Sequence, residues 1–347
     1  MARKTKSTNW RLLLTYVTLV GFLILIFAIR KQIFSTIDTI HTVDFWALAL
    51  IVPIEALNYH AQAKLYQESM EILGTKLSYK FLYRFSLELN FFTTIFPSGG
   101  ISAFTYMNVR LKNKKISAAQ STLIQLTKFA MVFASFQILL IVGLLLLAIG
   151  GHANELMVLI AGALMMLLVV LTGATIFVIG SESRINTVFT YITRLINSVI
   201  KLIRPSVTEG IKIDTVKRVF KELHQNYLLL RGNLKALKWP FIWGMIANIT
   251  EIAAVYIVYV AFGHWENPGG IIMAYAVANF AGIVSILPAG IGVYETLMTV
   301  ILAAAGISPS LSIPVTIMYR VVNTSIQVIP GYALYQRALR RGEIASG

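Results

Sequence analysis

The sequence predicts an all-α, polytopic membrane protein with six full spans and two broken, re-entrant segments arranged as an inverted repeat. Three observations lead there. Apolar residues make up 57% of the 347 and charged residues only 13%, about half the charged share of a soluble globular domain. Lysine and arginine are gathered into a few short polar stretches. One pattern also occurs twice. Asn90, Pro97-Ser98-Gly99-Gly100 and Ile116-Ser117 answer to Asn279, Pro288-Ala289-Gly290-Ile291-Gly292 and Ile307-Ser308, with 191 residues between the two prolines and between the two isoleucines.

The spans follow from length. A bilayer core takes about 20 apolar residues per helix, and residues 12–29, 45–66, 122–150, 156–180, 239–262 and 309–335 qualify. The first follows a basic flank (Arg3, Lys4, Lys6, Arg11), as a signal peptide would. Its apolar run is too long for one, however, and Arg30-Lys31 rather than small residues follow it, so it is read as a retained span. The stretches 81–110 and 270–305 are apolar but cut by Pro and Gly. They are read as the broken segments.

Basic residues orient the chain, because Lys and Arg concentrate in short cytoplasmic loops. With the N-terminus inside and both broken segments re-entrant, 26 of the 30 lie inside. Arg30 and Lys31 lie outside, and Lys128 and Arg320 within spans. If 81–110 crossed once, Arg110 to Lys115 would land outside, against the rule. The second break also reads as two short tilted spans, 271–287 and 291–305, which return the chain to the same side. Either way the first segment enters from inside and the second from outside. The expectation is one membrane domain over 1–347, in the plasma membrane with both termini cytoplasmic. Repeat one covers about 12–150 and repeat two about 236–335, joined by a cytoplasmic segment 181–235. Paired, broken segments of opposite sense point to a transporter's binding site.

Charge within the spans is the second pointer. Glu55, Glu88, Lys128, Glu251, Glu295 and Arg320 all fall in apolar segments, where an ionisable side chain is costly and is by default a functional candidate. Mutual pairing would explain any one of them; a polar cavity explains the set. At each break the following half-helix exposes backbone N–H groups and the positive end of its dipole, which favours an anion. The candidate substrate-binding residues are therefore Pro97, Gly99, Gly100, Lys128, Pro288, Gly290, Gly292, Glu295 and Arg320, with Glu55 and Glu251 on comparable helices. Helix packing is the rival account of the glycines.

Residues 185–203 place Ile185, Val188, Phe189, Ile192, Leu195, Ile196 and Val199 on one helical face, with Arg184, Arg194 and Lys201 on the other. That pattern suits a helix lying on anionic lipid. Val216, Phe220, Leu223, Tyr227 and Leu230 suggest a second such helix. The net charge of +15 then belongs to the cytoplasmic membrane face. No nucleic-acid module accompanies it. With no cysteine, three scattered aspartates and five scattered histidines, the sequence shows no metal site, cofactor motif or catalytic constellation.

The stretch from Ser285 through Pro288-Ala289-Gly290-Ile291-Gly292-Val293-Tyr294-Glu295, then Met318-Tyr319-Arg320 and Ile329-Pro330-Gly331, resembles a flippase-like family. That family includes the transmembrane part of lysyl-phosphatidylglycerol synthetase, the multiple peptide resistance factor. Phe96-Pro97-Ser98-Gly99-Gly100 is similar to its first half. The resemblance implies translocation of a phospholipid or lipid-linked headgroup between leaflets. The rival reading is a membrane glycosyltransferase, or an accessory subunit, acting on polyprenyl-phosphate-linked donors. The implied partners are a membrane phospholipid or lipid-linked substrate and anionic lipids at the cytoplasmic face. A homodimer is allowed. Headgroup, direction and energy source stay open.

Overall fold

The computed structural model describes residues 5–39, 41, 43–96, 101–203, 213–284 and 290–344, and among these the fold is all helical. The first half comprises α1 (Thr5–Thr39), α2 (Phe45–Ala49), α3 (Ile51–Ile72), α4 (Tyr79–Ile95), α5 (Ile101–Lys112), α6 (Ala118–Ile149) and α7 (Glu155–Ile179). The connecting segment holds α8 (Glu182–Ile203) and α9 (Ile213–Gly232). A short 3-10 turn over Leu234–Leu237 leads into α10 (Lys238–Ala261), α11 (Pro268–Val284), α12 (Val293–Ala304) and α13 (Pro309–Arg340).

Local chemistry sets the boundaries. The Asp44 carboxylate accepts the backbone N–H groups of Trp46 and Ala47 at 2.8 and 3.3 Å, an N-cap that starts α2. The expected span over 45–66 breaks at Leu50 and runs on to Ile72, because Pro53 has no N–H to donate to Ala49 and fits the first turn of a new helix. Ser117 caps α6, its hydroxyl accepting from Gln120 N at 3.1 Å while Gln120 Oε1 accepts from Ser117 N at 3.4 Å. Ser308 caps α13 by accepting from Ser310 N at 3.2 Å.

The two broken segments become helix pairs of matching length. α4 and α11 each have 17 residues, α5 and α12 each have 12, and the following α6 and α13 each have 32. α6 packs on α11, α13 packs on α4, and α3 packs on α10. A glycine lets the backbones meet at each of the first two crossings. A Cβ on Gly269 would lie 2.4 Å from Gly143 O, and one on Gly331 would lie 2.7 Å from Leu87 O. Small residues serve close helix approach in membranes.

Two apolar cores result. One joins Leu48, Ile51, Leu147, Met157, Tyr259, Ile271 and Leu302. The other joins Tyr66, Met70, Phe85, Tyr106, Leu111, Leu123 and Tyr335. The connections expected outside meet beside the first: Asp44 N donates to Ala261 O at 2.8 Å, and Asn154 Nδ2 to Ala304 O at 2.9 Å. The connections expected inside meet beside the second, where Asn113 Nδ2 donates to Glu343 O at 3.0 Å and His224 lies 2.9 Å from Ile179 O.

By length and composition α6, α7 and the run Leu234–Ala261 can each cross a membrane. α3 and α13 are diluted by polar side chains, among them Glu55, Asn58, Gln62, Arg320 and Asn323, which are buried inside the bundle. The outer face of α7 exposes Leu159, Met166, Val169 and Phe177, as a lipid-facing helix does. α9 forms as expected but packs on α6 and α8, with Leu223 and Leu230 buried in the second core. That apolar face is therefore covered by protein rather than free for lipid.

Arg110 differs most from its reading as a loop charge. Its side chain is 4% exposed and ion-paired at 2.7 Å to Glu88 across the α4–α5 hairpin. The same guanidinium reaches Glu343 at 2.9 Å.

Candidate functional site

Between the two cores lies a polar cavity of about 370 Å³. α3, α4, α5, α6, α10, α11, α12 and α13 all contribute to its wall, so it is walled by both halves of the chain. Its size falls within the roughly 300–1,000 Å³ of small-molecule sites.

Of the residues singled out in the sequence, Lys128, Glu251, Gly290 and Arg320 line this cavity. Positions 97–100 and 285–289, with Pro97, Gly99, Gly100 and Pro288, lie outside the described residues. Their neighbours converge all the same. Phe96 and Ser102 from the first break and Gly282 and Gly290 from the second line the one cavity. Gly290 has φ +64°, and a Cβ there would sit 3.1 Å from Gly282 Cα. A side chain would be strained there and crowded against α11.

Three of the singled-out residues stand back from the wall. Glu295 lies behind Arg320. Its Oε1 is 3.4 Å from Arg320 Nη1 and accepts Gln32 Nε2 at 2.9 Å, while its Oε2 accepts the Gly292 N–H at 2.7 Å. The helix end expected to meet a ligand anion at Gly292 is thus met by the protein's own carboxylate, and Arg320 faces the cavity in front of it. Glu55 is fully buried, with neither carboxyl oxygen hydrogen-bonded.

The sequence reading passed over most of the wall. Two chains of amides and hydroxyls organise the charges. On one side Lys128 Nζ donates to Gln62 Oε1 at 3.2 Å. Gln62 Nε2 donates to Asn58 Oδ1 at 2.6 Å, and Asn58 Nδ2 to Thr250 Oγ1 at 2.9 Å. On the other, Gln327 Nε2 donates to Asn323 Oδ1 at 2.7 Å. Glu251 Oε2 accepts from Asn323 Nδ2 at 3.2 Å and from Tyr319 OH at 2.7 Å. Lys128 Nζ also lies 5.0 Å from the Tyr66 ring centre, and Arg320 Cζ 4.8 Å from that of Tyr294, both within cation–π range. Asn90 and Asn279, matched in the sequence pattern, are both on the wall.

The arrangement is therefore a chamber of small-molecule size carrying two cations and one carboxylate, each held by neighbours. It can receive a charged group that offers both donors and acceptors.

A family model described as the lysylphosphatidylglycerol synthase TM region matches residues 11–331. The chain is 31% identical over 111 residues to a UPF0104 membrane protein of Methanothermobacter thermautotrophicus, covering 31% of this chain and 32% of that protein. It is 19% identical over 186 residues to a UPF0104 membrane protein of Pyrococcus horikoshii, covering 54% of this chain and 55% of that one. These alignments thus span about a third and about half of the relatives' own lengths.

Proposed function

Since the chain belongs to the lysylphosphatidylglycerol synthase TM region family, we propose that it is a lipid translocase, passing a phospholipid or lipid-linked headgroup between leaflets. The observation that carries this reading is the polar cavity walled by both halves of the chain, with Lys128, Arg320 and Glu251 on one wall system. Lys128 and Arg320 hold the phosphate, Arg320 through its planar fork. Glu251 and the amides of Asn323 and Gln62 meet the rest of the headgroup.

The two halves act as an inverted repeat, and the site opens to one side and then the other. Support comes from the equal lengths of the paired helices, the reciprocal packing of α6 on α11 and α13 on α4, and the Ser117 and Ser308 caps. Six full spans place α8, α9 and both termini on the cytoplasmic side of the plasma membrane, in keeping with the distribution of basic residues.

The test is reconstitution into liposomes carrying a trace of fluorescent lipid in both leaflets, with an impermeant quencher added outside. A translocase lets the quencher reach nearly all of the label, and a panel of headgroups ranks the substrates. Quenching that stops at the outer-leaflet half for every headgroup, in vesicles shown to contain folded protein, refutes the proposal.

A further inference from the structure

A second cleft lies at the end of the molecule where α4 begins and α5 and α13 finish. It has a volume of about 210 Å³ and is lined by Lys80, Arg84, Arg110, Lys114, Arg337 and Arg341 against only Glu88 and Glu343. The translocase reading makes no use of it. Arg110 forms its floor, and the Nε of that arginine is already committed to Glu88. Nη2 also lies 3.4 Å from Glu88 Oε1, and the rest of the guanidinium is met by the chain's own tail, Nη1 donating to Glu343 O at 3.3 Å. Glu343 Oε2 lies 2.9 Å from Arg110 Nη2, and Glu343 Oε1 lies 3.9 Å from Arg341 Nη1. Glu343 comes from the short tail after α13, and its side chain is 40% exposed. Lys80, Arg84, Lys114 and Arg337 have no ion-pair partner among the described residues.

One carboxylate leaves most of that positive charge unanswered. It also marks a place where an oxyanion fits against a buried guanidinium, Glu343 Oε2 lying on Arg110 Nη2. A phosphate group carries more oxygens than a carboxylate, and arginine forks suit it. Basic pockets between helices at the membrane surface take up anionic headgroups. We propose that this cleft binds a phosphate-bearing anion, and that Glu343 is its displaceable occupant. The phosphate comes either from an anionic lipid of the adjacent leaflet or from solution. In either case binding displaces the Glu343 carboxylate from Arg110.

Native mass spectrometry of the detergent-solubilised full chain tests this, with phosphatidylglycerol in one arm and inorganic pyrophosphate in the other. Arg84 and Arg337 are exposed, so Arg84→Gln and Arg337→Gln should fold, and a melting curve of each variant checks this. Each lost cation should weaken binding roughly fivefold, and Glu343→Gln should tighten it several-fold. Phosphatidylglycerol that is lost with Arg320→Lys but kept in Arg84→Gln and Arg337→Gln sits in the central cavity and overturns the site. Tight phosphatidylglycerol with weak pyrophosphate identifies the lipid as the source, and the reverse identifies a soluble phosphate. Binding of neither, or binding indifferent to Arg84→Gln and Arg337→Gln in folded protein, overturns the site. Binding that Glu343→Gln does not tighten overturns the displacement.

Discussion

Replacing Arg110 by alanine should unfasten the first broken segment. Arg110 on α5 and Glu88 on α4 are 4% and 3% exposed, with Nε to Oε2 at 2.7 Å and Nη2 to Oε1 at 3.4 Å. Tyr106 OH donates to the same carboxylate at 2.8 Å. In Arg110→Ala that carboxylate keeps the Tyr106 donor and loses the one cation paired with it among the described residues. Stranding one partner of a buried pair costs about 3–5 kcal/mol. Arg110 Cζ also lies 5.1 Å from the Phe81 ring centre, a contact worth about 0.5–2 kcal/mol. Glu88→Gln should cost less, because Arg110 keeps Glu343. The double variant Glu88→Leu with Arg110→Met should recover most of the loss, since apolar replacement of a whole buried pair is often neutral. The assay is thermal melting of purified protein in detergent, with Glu88→Leu and Arg110→Met also measured singly to close a double-mutant cycle. The α4–α5 hairpin sets Phe96 and Ser102 on the cavity wall, so Arg110→Ala should also slow lipid exchange. An Arg110→Ala protein that melts within a degree of wild type, or a double variant as unstable as the two singles added, would refute the reasoning.

Other outcomes follow from the same geometry. Gly331→Ala should destabilise by about 1–3 kcal/mol, because its Cβ would stand 2.5 Å from Phe91 Cβ. Gly162→Ala, with nothing within 4 Å, should melt as wild type does; equal effects would discount the close packing of α13 on α4. Glu55→Met should hold or raise the melting temperature, since a buried polar group without a partner is removed. Glu251→Met, which strands Tyr319 and Asn323, should lower stability by about 1–3 kcal/mol, and the reverse order would contradict the hydrogen-bond assignment. In a chain without cysteine, Lys235→Cys should resist an impermeant thiol reagent in intact cells while His264→Cys reacts; labelling of Lys235→Cys alone would invert the proposed orientation.

Much of the scaffold was legible in the sequence because apolar runs and their interruptions are blunt physical signals. The apolar run of α7 was read to within a residue at each end. So were the α4–α5 and α11–α12 breaks, to within a few residues. The break at Leu50 was also written there, in Pro53, but one proline in a long apolar run reads more readily as tolerated. The cavity was only half visible. Lys128, Arg320 and Glu251 stand out because charge in a span is costly. Neutral amides cost less and were passed over, although Asn58 with Gln62 and Asn323 with Gln327 are four apart, the spacing that puts two side chains on one helix face. Arg110 was misread because its sequence neighbours Lys112, at the end of α5, and Lys114, just beyond it, are exposed cations. Its partner Glu88 lies 22 residues away, and only the folded hairpin joins them.

The central claim is that a headgroup phosphate passes through the cavity on Arg320, and leaflet exchange by Arg320→Lys tests it most directly. Lysine keeps the charge beside Glu295 but loses the fork. The account predicts exchange slowed at least tenfold, with a melting temperature near that of wild type. Arg320→Ala combined with Glu295→Gln should stay folded and exchange no lipid above protein-free vesicles. Wild-type exchange by that folded double variant would contradict the account.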